Sequence, residues 1–295
     1  MKAAQLVKRY RVDDPRTFHL AKYDPDDTWK VDKAAAKKLL DTDLERLTDL
    51  QERLYAENRW AVLVVLQGMD AAGKDSVIKH VMSAVDPQGC EVRSFRAPSE
   101  EELEHDFLWR IVKALPERGR IGIFNRSHYE EVLVARVHRE IVGKEKLPPV
   151  LVTGRIWQAR FDDIRAFEKH LARNGTVVLK FFLNVSKEKQ RERLLERLEE
   201  PAKRWKFSMG DIDDRKLWNR YMAAYQDMIR NTSTPEARWH VVPANHKWFT
   251  HLVVAAALVK ALQALELKFP VIKGNALAEM KKVRRALLEG SRRRP

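Results

Sequence analysis

The sequence has little cysteine: Cys90 is the single one among 295 residues. No disulfide can form within one chain, which favours a reducing compartment. Long hydrophobic runs are also missing, because the longest apolar stretch, 252–267, is short for a membrane span and contains Lys260. The first residues lack the apolar core of a secretory signal. We therefore expect a cytoplasmic protein that has no membrane partner.

Acidic residues are scarce relative to bases, with 42 Asp and Glu against 56 Lys and Arg, a net charge of +14. The last fifteen residues hold seven bases and one acid, so they contribute +6 and residues 1–280 carry +8. A basic body attracts polyanions, which include nucleic acid, anionic membranes, nucleotides and phosphate chains. The sign of the charge does not choose among them.

Short apolar runs alternate with helical patterns along most of the chain. Continuous apolar runs are typical of parallel strands covered on both faces. The candidate strands are 61–66, 91–95, 120–124, 176–183 and 238–242. The main candidate helices are 32–58, 77–85, a Ser99-capped helix through Leu115, 127–142, 154–173, 186–200 and 246–267. This alternation predicts an α/β fold with a doubly wound parallel sheet of about five strands.

The chain is predicted to contain one domain, because no repeat or obvious linker interrupts the pattern. Residues 1–31 are polar and are predicted to be an irregular arm that wraps the domain, which then spans 32–270. A charged stretch at about 201–215 is a candidate lid. Residues 271–295 form a basic tail, for which a disordered solubilising end is favoured.

The segment Gly68–Lys74 fits the phosphate-loop pattern G-x4-G-K between a predicted strand and a predicted helix. In that context backbone N–H groups and the helix N-terminus face a bound anion. A chance glycine turn is the alternative, and it is disfavoured by Lys74. The predicted phosphate contacts in and beside the loop are Gly68, Ala71, Ala72, Gly73, Lys74 and Ser76.

Two carboxylates are unexpected in a loop that binds a polyanion. Asp75 stands where Ser or Thr normally helps to bind Mg²⁺, and Asp70 lies inside the loop. Carboxylates near phosphate are tolerated when a divalent cation lies between them. Asp75 could also be an ordinary acidic residue at a helix N-terminus, but Asp70 has no such explanation. Both residues are therefore candidate metal ligands.

Two further segments carry candidate site residues. The apolar strand 121–124 ends in Asn125 and Arg126, and Glu130 opens the next predicted helix. In the lid stretch, cations alternate with Trp205 and Phe207, which suits a segment that closes over an extended anion. The lid cations are Lys203, Arg204, Lys206 and Arg215. A solvated charged loop is the alternative interpretation.

Together these segments resemble the polyphosphate kinase 2 family. The resemblance rests on GMDAAGKD (68–75), FRAPSEEEL (95–103), FNRSHYEEVLV (124–134) and KRWKFSMGDIDDRKLW (203–218), within roughly residues 20–268. It implies a P-loop kinase fold similar to that of thymidylate kinase, with a helical lid. It also implies reversible transfer of a terminal phosphoryl group between inorganic polyphosphate and AMP, ADP or ATP. The implied cofactor is Mg²⁺, with Mn²⁺ as an alternative, and the implied assembly is a homo-oligomer.

The resemblance also implies roles for single residues. Asp70 would bind Mg²⁺ and orient phosphates, Lys74 would contact the transferring phosphate, Asp75 would support the metal or its waters, and Arg126 would neutralise transition-state charge. The cations Lys203, Arg204, Lys206 and Arg215 would line the lid and the phosphate channel. The family often has Asp-Arg-Ser where this chain has Asn125-Arg126-Ser127.

That departure removes one expected metal carboxylate. The Asn-Arg-Ser-His-Tyr-Glu form resembles the class III subgroup, which phosphorylates both AMP and ADP. By this resemblance Asn125 and Glu130 would tune the choice of acceptor.

Two other functions stay open at this point. One is a P-loop kinase that uses ATP as donor on a nucleoside monophosphate or another small acceptor, which would not need a long cationic channel. The other is a nucleic-acid-binding protein without catalysis, which would not need aspartates in the phosphate loop. The basic tail could serve as a polyphosphate tether. We expect polyphosphate and nucleotides as partners, and no nucleic acid.

Overall fold

The computed structural model describes residues 3–290, with side chains described from 5 to 288. The strands are β1 (Ala61–Gln67), β2 (Cys90–Ser94), β3 (Ile121–Asn125), β4 (Thr176–Asn184) and β5 (Trp239–Pro243). They form one parallel sheet in the order β2-β3-β1-β4-β5. The predicted α/β class and the sheet of about five strands are therefore confirmed.

The α-helices surround this sheet. They are α1 (Ala3–Tyr10), α2 (Lys33–Glu57), α3 (Lys74–Val81), α4 (Glu100–Leu103), α5 (Trp109–Val112), α6 (Val134–Val137), α7 (Ile156–Arg173), α8 (Lys187–Glu199), α9 (Gly210–Lys216), α10 (Trp218–Thr232), α11 (Lys247–Gln263) and α12 (Asn275–Gly290). Within the described residues, no helix is long and apolar enough to cross a membrane.

Burial of the central strand, β1, shows that the sheet is covered on both faces. All seven residues of β1 are buried, and its neighbours are β3 on one side and β4 on the other. Two groups of helices pack together, α1, α2, α3 and α11 in one group and α6, α7 and α10 in the other. Because side chains alternate between the two faces of a strand, burial along all of β1 requires cover on both.

The arm packs on the domain, but part of it is helical where an irregular segment is predicted. Residues 3–10 form α1, which packs on α11, and Val12 N donates a hydrogen bond to the carbonyl of Trp239 in β5. The side chains of Leu6, Tyr10 and Phe18 are buried in the main hydrophobic core. Leu6, Val7 and Tyr10 follow helical spacing, but a helix of eight residues is too short to be predicted by itself, and its burial depends on contacts with the rest of the domain.

Two predicted helices are shorter in the structure. The Ser99–Glu102 capping box is present, but the helix it starts is only α4, and a separate turn, α5, follows. Residues 127–142 form a 3₁₀ segment His128–Val132, the single turn α6 and a further 3₁₀ segment. The side chains of His128, Tyr129, Glu131 and Val132 are all buried, so tertiary contacts override the helical pattern here.

The candidate lid contains helices, as the resemblance implies: Pro201–Lys206 is a 3₁₀ helix, and Gly210–Lys216 forms α9. Residues 275–290 form the exposed helix α12, where a disordered end was favoured. Residues 291–295 lie outside the described part of the chain.

A buried ion pair links β4 to α7. Lys180 Nζ donates to Glu168 Oε2 at 2.6 Å, to the Tyr129 hydroxyl oxygen at 2.8 Å and to the carbonyl of Thr232 at 2.7 Å. Both ionised side chains are fully buried. All three donor positions of the ammonium group are therefore used inside the core.

Replacing Lys180 with methionine is expected to lower the free energy of unfolding by about 3–5 kcal/mol, because Glu168 would keep a buried charge without its partner. Urea unfolding followed by circular dichroism measures this loss. The double variant Lys180→Met/Glu168→Leu should recover part of it, since no unpaired charge remains. A loss below about 1 kcal/mol for the single variant, the range of an exposed pair, would contradict this account.

Candidate active site

The phosphate loop connects β1 to α3, and its conformation requires glycine at positions 68 and 73. A Cβ atom on Gly68 would lie 2.9 Å from the backbone oxygen of Leu183, so a larger residue cannot be placed there without a shift. Gly73 has φ +113° and precedes α3 directly. This left-handed conformation favours glycine. The loop therefore presents the N-terminus of α3 to the space above it, as the sequence pattern predicts.

Lys74 closes onto its own loop. Its Nζ donates to the carbonyl oxygens of Gly68 at 2.6 Å and Met69 at 3.2 Å, and the side chain is buried. Burial, together with the neighbouring charge of Arg126, lowers the pKa of Lys74 below its ordinary value. The ammonium group that is predicted to contact a phosphate therefore donates its hydrogen bonds to loop carbonyls in this structure.

Arg126 joins the end of β3 to the phosphate loop. Its Nη2 donates to Asp70 Oδ1 at 2.5 Å, and its Nη1 donates to Glu130 Oε2 at 3.3 Å. Although burial opposes it, these two carboxylates raise the pKa of Arg126 above its ordinary value. The backbone of Arg126 has φ +63°, an uncommon conformation for a non-glycine residue, and its N–H donates to Leu66 O.

The two loop aspartates have different partners. Burial alone would raise the pKa of Asp70, but the charges of Lys74 and Arg126 lower it below the ordinary value. Asp75 accepts hydrogen bonds from Lys206 Nζ at 2.6 Å and from Asn125 Nδ2 at 3.0 Å. Burial opposes the effect, but these two contacts lower the pKa of Asp75 as well. Both carboxylates are therefore ionised at neutral pH.

The lid contacts the loop through Lys206 and Asp75, and it places a third carboxylate nearby. Asp211, on α9, accepts from Arg197 Nη1 at 2.7 Å. Burial and the nearby carboxyl of Asp70 raise the pKa of Asp211, against the charge of Arg197. The structure therefore brings Asp70 and Asp211 together across the gap between the loop and the lid. The sequence pattern gave no signal for Asp211, because acidic residues are common in charged segments.

A cavity of about 390 Å³ lies over the phosphate loop. Seven Lys and Arg side chains line it, against three acidic ones. The cations are Lys74, Lys79, Arg193, Arg197, Lys203, Lys206 and Lys247, and the acids are Asp70, Asp75 and Glu196. Such an excess favours an extended anion, because a cavity wall of one sign concentrates ligands of the other.

The structure gathers most of the predicted phosphate-binding residues at this cavity. The predicted residues that line it are Asp70, Ala71, Gly73, Lys74, Asp75, Ser76, Lys203 and Lys206. Gly68 and Ala72 belong to the same loop. The Ser76 hydroxyl is also 3.0 Å from Nε2 of His251, so this side chain already has a partner. Asn125 and Glu130 reach the site through Asp75 and Arg126.

Two predicted lid cations point elsewhere. Arg204 donates to the carbonyls of Leu198 and Glu199 at the end of α8. Arg215 Nη1 donates to the carbonyl of Lys187 and to Oε1 of Gln190. Neither lines the cavity. These side chains support α8 in this structure, and their part in the phosphate channel stays a prediction.

Helix α8 also contributes residues to the site, although its sequence pattern does not indicate them. Arg193 Nη1 donates to the carbonyls of Ala71 and Ala72, both at 3.0 Å, and its Nη2 reaches the carbonyl of Ala244. Gln190 Nε2 donates to the carbonyl of Asp70 at 3.1 Å. These bonds fix the loop against α8. The pattern of α8 is that of a solvated charged helix, so an inward-facing arginine could not be recognised in it.

Known proteins resemble this chain over nearly its whole length. The sequence profile of the family described as Polyphosphate kinase 2 (PPK2) matches residues 30–270. An ADP-polyphosphate phosphotransferase of Rhodopseudomonas palustris is 45% identical over 285 residues, covering 96% of this chain and 99% of that protein. An AMP/ADP-polyphosphate phosphotransferase of Meiothermus ruber is 48% identical over 266 residues. The match covers 90% of this chain and 96% of that protein.

A solved structure gives the same result for the fold. The crystal structure of Polyphosphate Kinase 2 from Arthrobacter aurescens TC1 superimposes with a TM-score of 0.86 at 40% identity, covering 94% of this chain and 96% of that one. The residues matched by the family profile, 30–270, include the phosphate loop, β3 with Arg126, and the lid. The chain therefore belongs to the polyphosphate kinase 2 family.

Proposed function

We propose that this enzyme transfers the terminal phosphoryl group of inorganic polyphosphate to AMP and ADP, making ADP and ATP, in a reversible reaction. The observation that carries the proposal is the cavity over the phosphate loop, where seven cations face three acids. Such a lining is larger than one terminal phosphate needs, and it suits a chain of phosphates. The names of the relatives support the same donor.

Different residues have different roles in the proposed transfer. The donor chain lies along Lys79, Lys203 and Lys247, with its end phosphate over the loop. Lys74 leaves the loop carbonyls to contact the transferring group, and Arg126 neutralises the charge that accumulates between donor and acceptor. A terminal phosphate oxygen of the nucleotide attacks the end phosphorus in line, and the bond from that phosphorus to the shortened polyphosphate chain breaks. No covalent enzyme intermediate is needed, since positioning and charge neutralisation supply most of the catalysis in phosphoryl transfer.

Asp70 and Asp75 would bind a divalent cation, Mg²⁺ in our proposal and Mn²⁺ as an alternative. Among the described residues no cluster of three or more His, Cys, Asp or Glu is arranged for a metal. Mg²⁺, however, is usually held by one or two carboxylates, with water and substrate phosphates completing its shell. Two ionised aspartates beside the phosphate loop fit that donor set. The ion would supply charge neutralisation between adjacent phosphates.

The choice between AMP and ADP is the finer part of the proposal. The name of the Meiothermus relative includes both acceptors, and the name of the Rhodopseudomonas relative includes ADP alone. We propose that both are used here. Asn125, which places Asp75, and Glu130, which places Arg126, are the residues that would tune this choice. Assembly as a homo-oligomer, location in the cytoplasm and the lack of a nucleic-acid partner stay predictions.

A donor and acceptor swap tests the proposal. With Mg²⁺ and polyphosphate, we expect ADP and then ATP to appear from AMP, and ATP to appear from ADP, as followed by chromatography. ATP from ADP alone would keep the donor and remove the AMP assignment. Turnover with ATP as donor on a nucleoside monophosphate, without turnover on polyphosphate, would make the chain an ordinary P-loop kinase. Salt-sensitive DNA binding without transfer would overturn catalysis altogether.

A further inference from the structure

Helix α12 presents apolar side chains to the solvent. Every described side chain from 275 to 288 is exposed. Met280 is 53% exposed, Val283 58% and Leu287 71%. Single apolar side chains are normal on a protein surface, but contiguous ones indicate a surface that binds another molecule. The residues matched by the family profile end at 270, so this helix lies outside them.

The apolar residues of α12 form one stripe along the helix. At 3.6 residues per turn, four of them fall within a sector of about 120°. They are Leu277, Met280, Val283 and Leu287. The helix has 16 residues and is about 24 Å long. A stripe of this width is typical of a helix that lies on a core or on another apolar surface.

The segment before α12 continues the apolar surface. Residues 268–274 form neither helix nor strand, and their side chains are exposed. The large apolar ones are Phe269, Val271 and Ile272. They follow no regular spacing. A folded groove would therefore have to fit an irregular segment as well as a helix, whereas lipid chains adapt to both.

The remainder of the α12 surface is basic. Residues 275–288 contain four bases against one acid, Glu279. Arg284 lies within the apolar sector, and its long stem lets the guanidinium group extend out of it. The other bases are Lys281, Lys282 and Arg285. An occupant of this surface must therefore be apolar at one level and anionic at another.

Two other occupants match only part of this surface. Inorganic polyphosphate is anionic, but it has no apolar surface to cover the stripe. A second α12 helix would supply an apolar surface, but its bases would lie beside those of the first, and like charges at such positions are destabilising. The rest of a second copy is basic as well.

We propose that α12, together with residues 268–274, binds the surface of a membrane that contains anionic lipids. The apolar stripe is buried at the level of the acyl chains, and the bases contact the headgroups, as in other amphipathic helices that lie in the plane of a membrane. This contact is peripheral, and it revises the sequence-based expectation that the protein has no membrane partner. It does not rest on the proposed function.

Sedimentation of the full chain with lipid vesicles tests this contact. We expect at least tenfold tighter binding to vesicles with about one-third phosphatidylglycerol than to vesicles of phosphatidylcholine alone, because each Lys or Arg near an anionic surface raises the affinity about fivefold. Added sodium chloride should weaken the binding, since it screens the charges. Equal binding to the two kinds of vesicle, or binding to neither, would overturn the proposal. This comparison needs no variant.

Two variants of equal charge separate the helix from the basic body. Met280→Glu/Leu287→Glu places two carboxylates on the stripe, and Ala278→Glu/Ala286→Glu places two on the other side of the same helix. Glutamate is a good helix former, so both variants keep the helix. The first variant should lower the affinity for phosphatidylglycerol vesicles at least tenfold more than the second. All four positions are exposed and none lines the cavity over the phosphate loop, so both variants should keep the wild-type melting temperature and transfer rate.

The remaining outcomes distinguish this proposal from its alternatives. Equal losses in the two variants would mean that net charge alone attracts the vesicles, and would remove the role of the stripe. A smaller oligomer of Met280→Glu/Leu287→Glu in sedimentation velocity, with vesicle binding unchanged, would assign the stripe to a second copy of the chain. The vesicle assay involves no turnover, so a failure of phosphotransfer from polyphosphate would overturn the proposed function and leave this result standing.

Discussion

Replacing Lys74 with alanine is expected to lower kcat with polyphosphate and ADP about a thousandfold, with the fold retained. The ammonium group is buried at the base of the cationic cavity, where its Nζ contacts the loop carbonyls of Gly68 and Met69. In the proposed reaction this ammonium group would contact the transferring phosphate, and alanine removes that contact. Steady-state kinetics, with ATP formation followed by chromatography, measure the loss.

Stability and surface controls keep that result interpretable. Far-UV circular dichroism and thermal melting should show a folded Lys74→Ala protein, since the variant removes about one or two hydrogen bonds of modest net value. Lys37 is exposed on α2 and does not line the cavity, so Lys37→Ala should retain wild-type kcat. If Lys74→Ala kept more than a tenth of the normal rate, the role of this residue in the transfer would have to be abandoned.

Replacing Arg126 with lysine is expected to lower kcat at least a hundredfold, although the charge is kept. The guanidinium group reaches Asp70 with one nitrogen and Glu130 with another. A lysine ammonium is a compact point charge that cannot match this fork. Arg126→Ala should lose more, because it removes the charge as well. Kinetics should be measured with AMP and with ADP, since Glu130 is a candidate for acceptor choice.

Arg16→Lys is the matched control for Arg126→Lys. Arg16 also pairs with an aspartate, Asp14, but both side chains are exposed. Exposed ion pairs contribute little to stability, so this change should leave both kcat and the melting temperature unaltered. Normal turnover in Arg126→Lys would mean that the residue only braces Asp70 and takes no part in neutralising the transition state.

The sheet and the phosphate loop could be predicted because their signals are local. The continuous apolar run of β1 marks the central strand, and Gly68–Lys74 lies between it and a helix, as backbone anion binding requires. The ends of β1 and β3 meet at the same edge of a parallel sheet, with Leu66 opposite Asn125. That register places Arg126 beside the loop, because β3 and not β2 is the neighbour of β1, a strand order that the sequence does not predict.

The remaining site residues depend on tertiary contacts that leave no local pattern. Arg193 and Asp211 lie in segments dense in charge, where inward and outward side chains look alike in the sequence. The same limit explains Arg204 and Arg215, whose guanidinium groups bond backbone carbonyls of α8 instead of lining the cavity. The cavity that Phe107 lines beside α7 is assembled from several short segments between β2 and α7, and no spacing rule connects them.

The contacts of Lys74, Arg126 and Lys206 have a consequence for product release. Each cation already has a partner within the protein, namely loop carbonyls, Asp70 and Asp75. In the proposed reaction an arriving phosphate would exchange places with that partner, so the gain in free energy would be smaller than for a vacant cation. After transfer the same carboxylates and carbonyls would compete with the bound product for the cations. We therefore expect this exchange to speed product release.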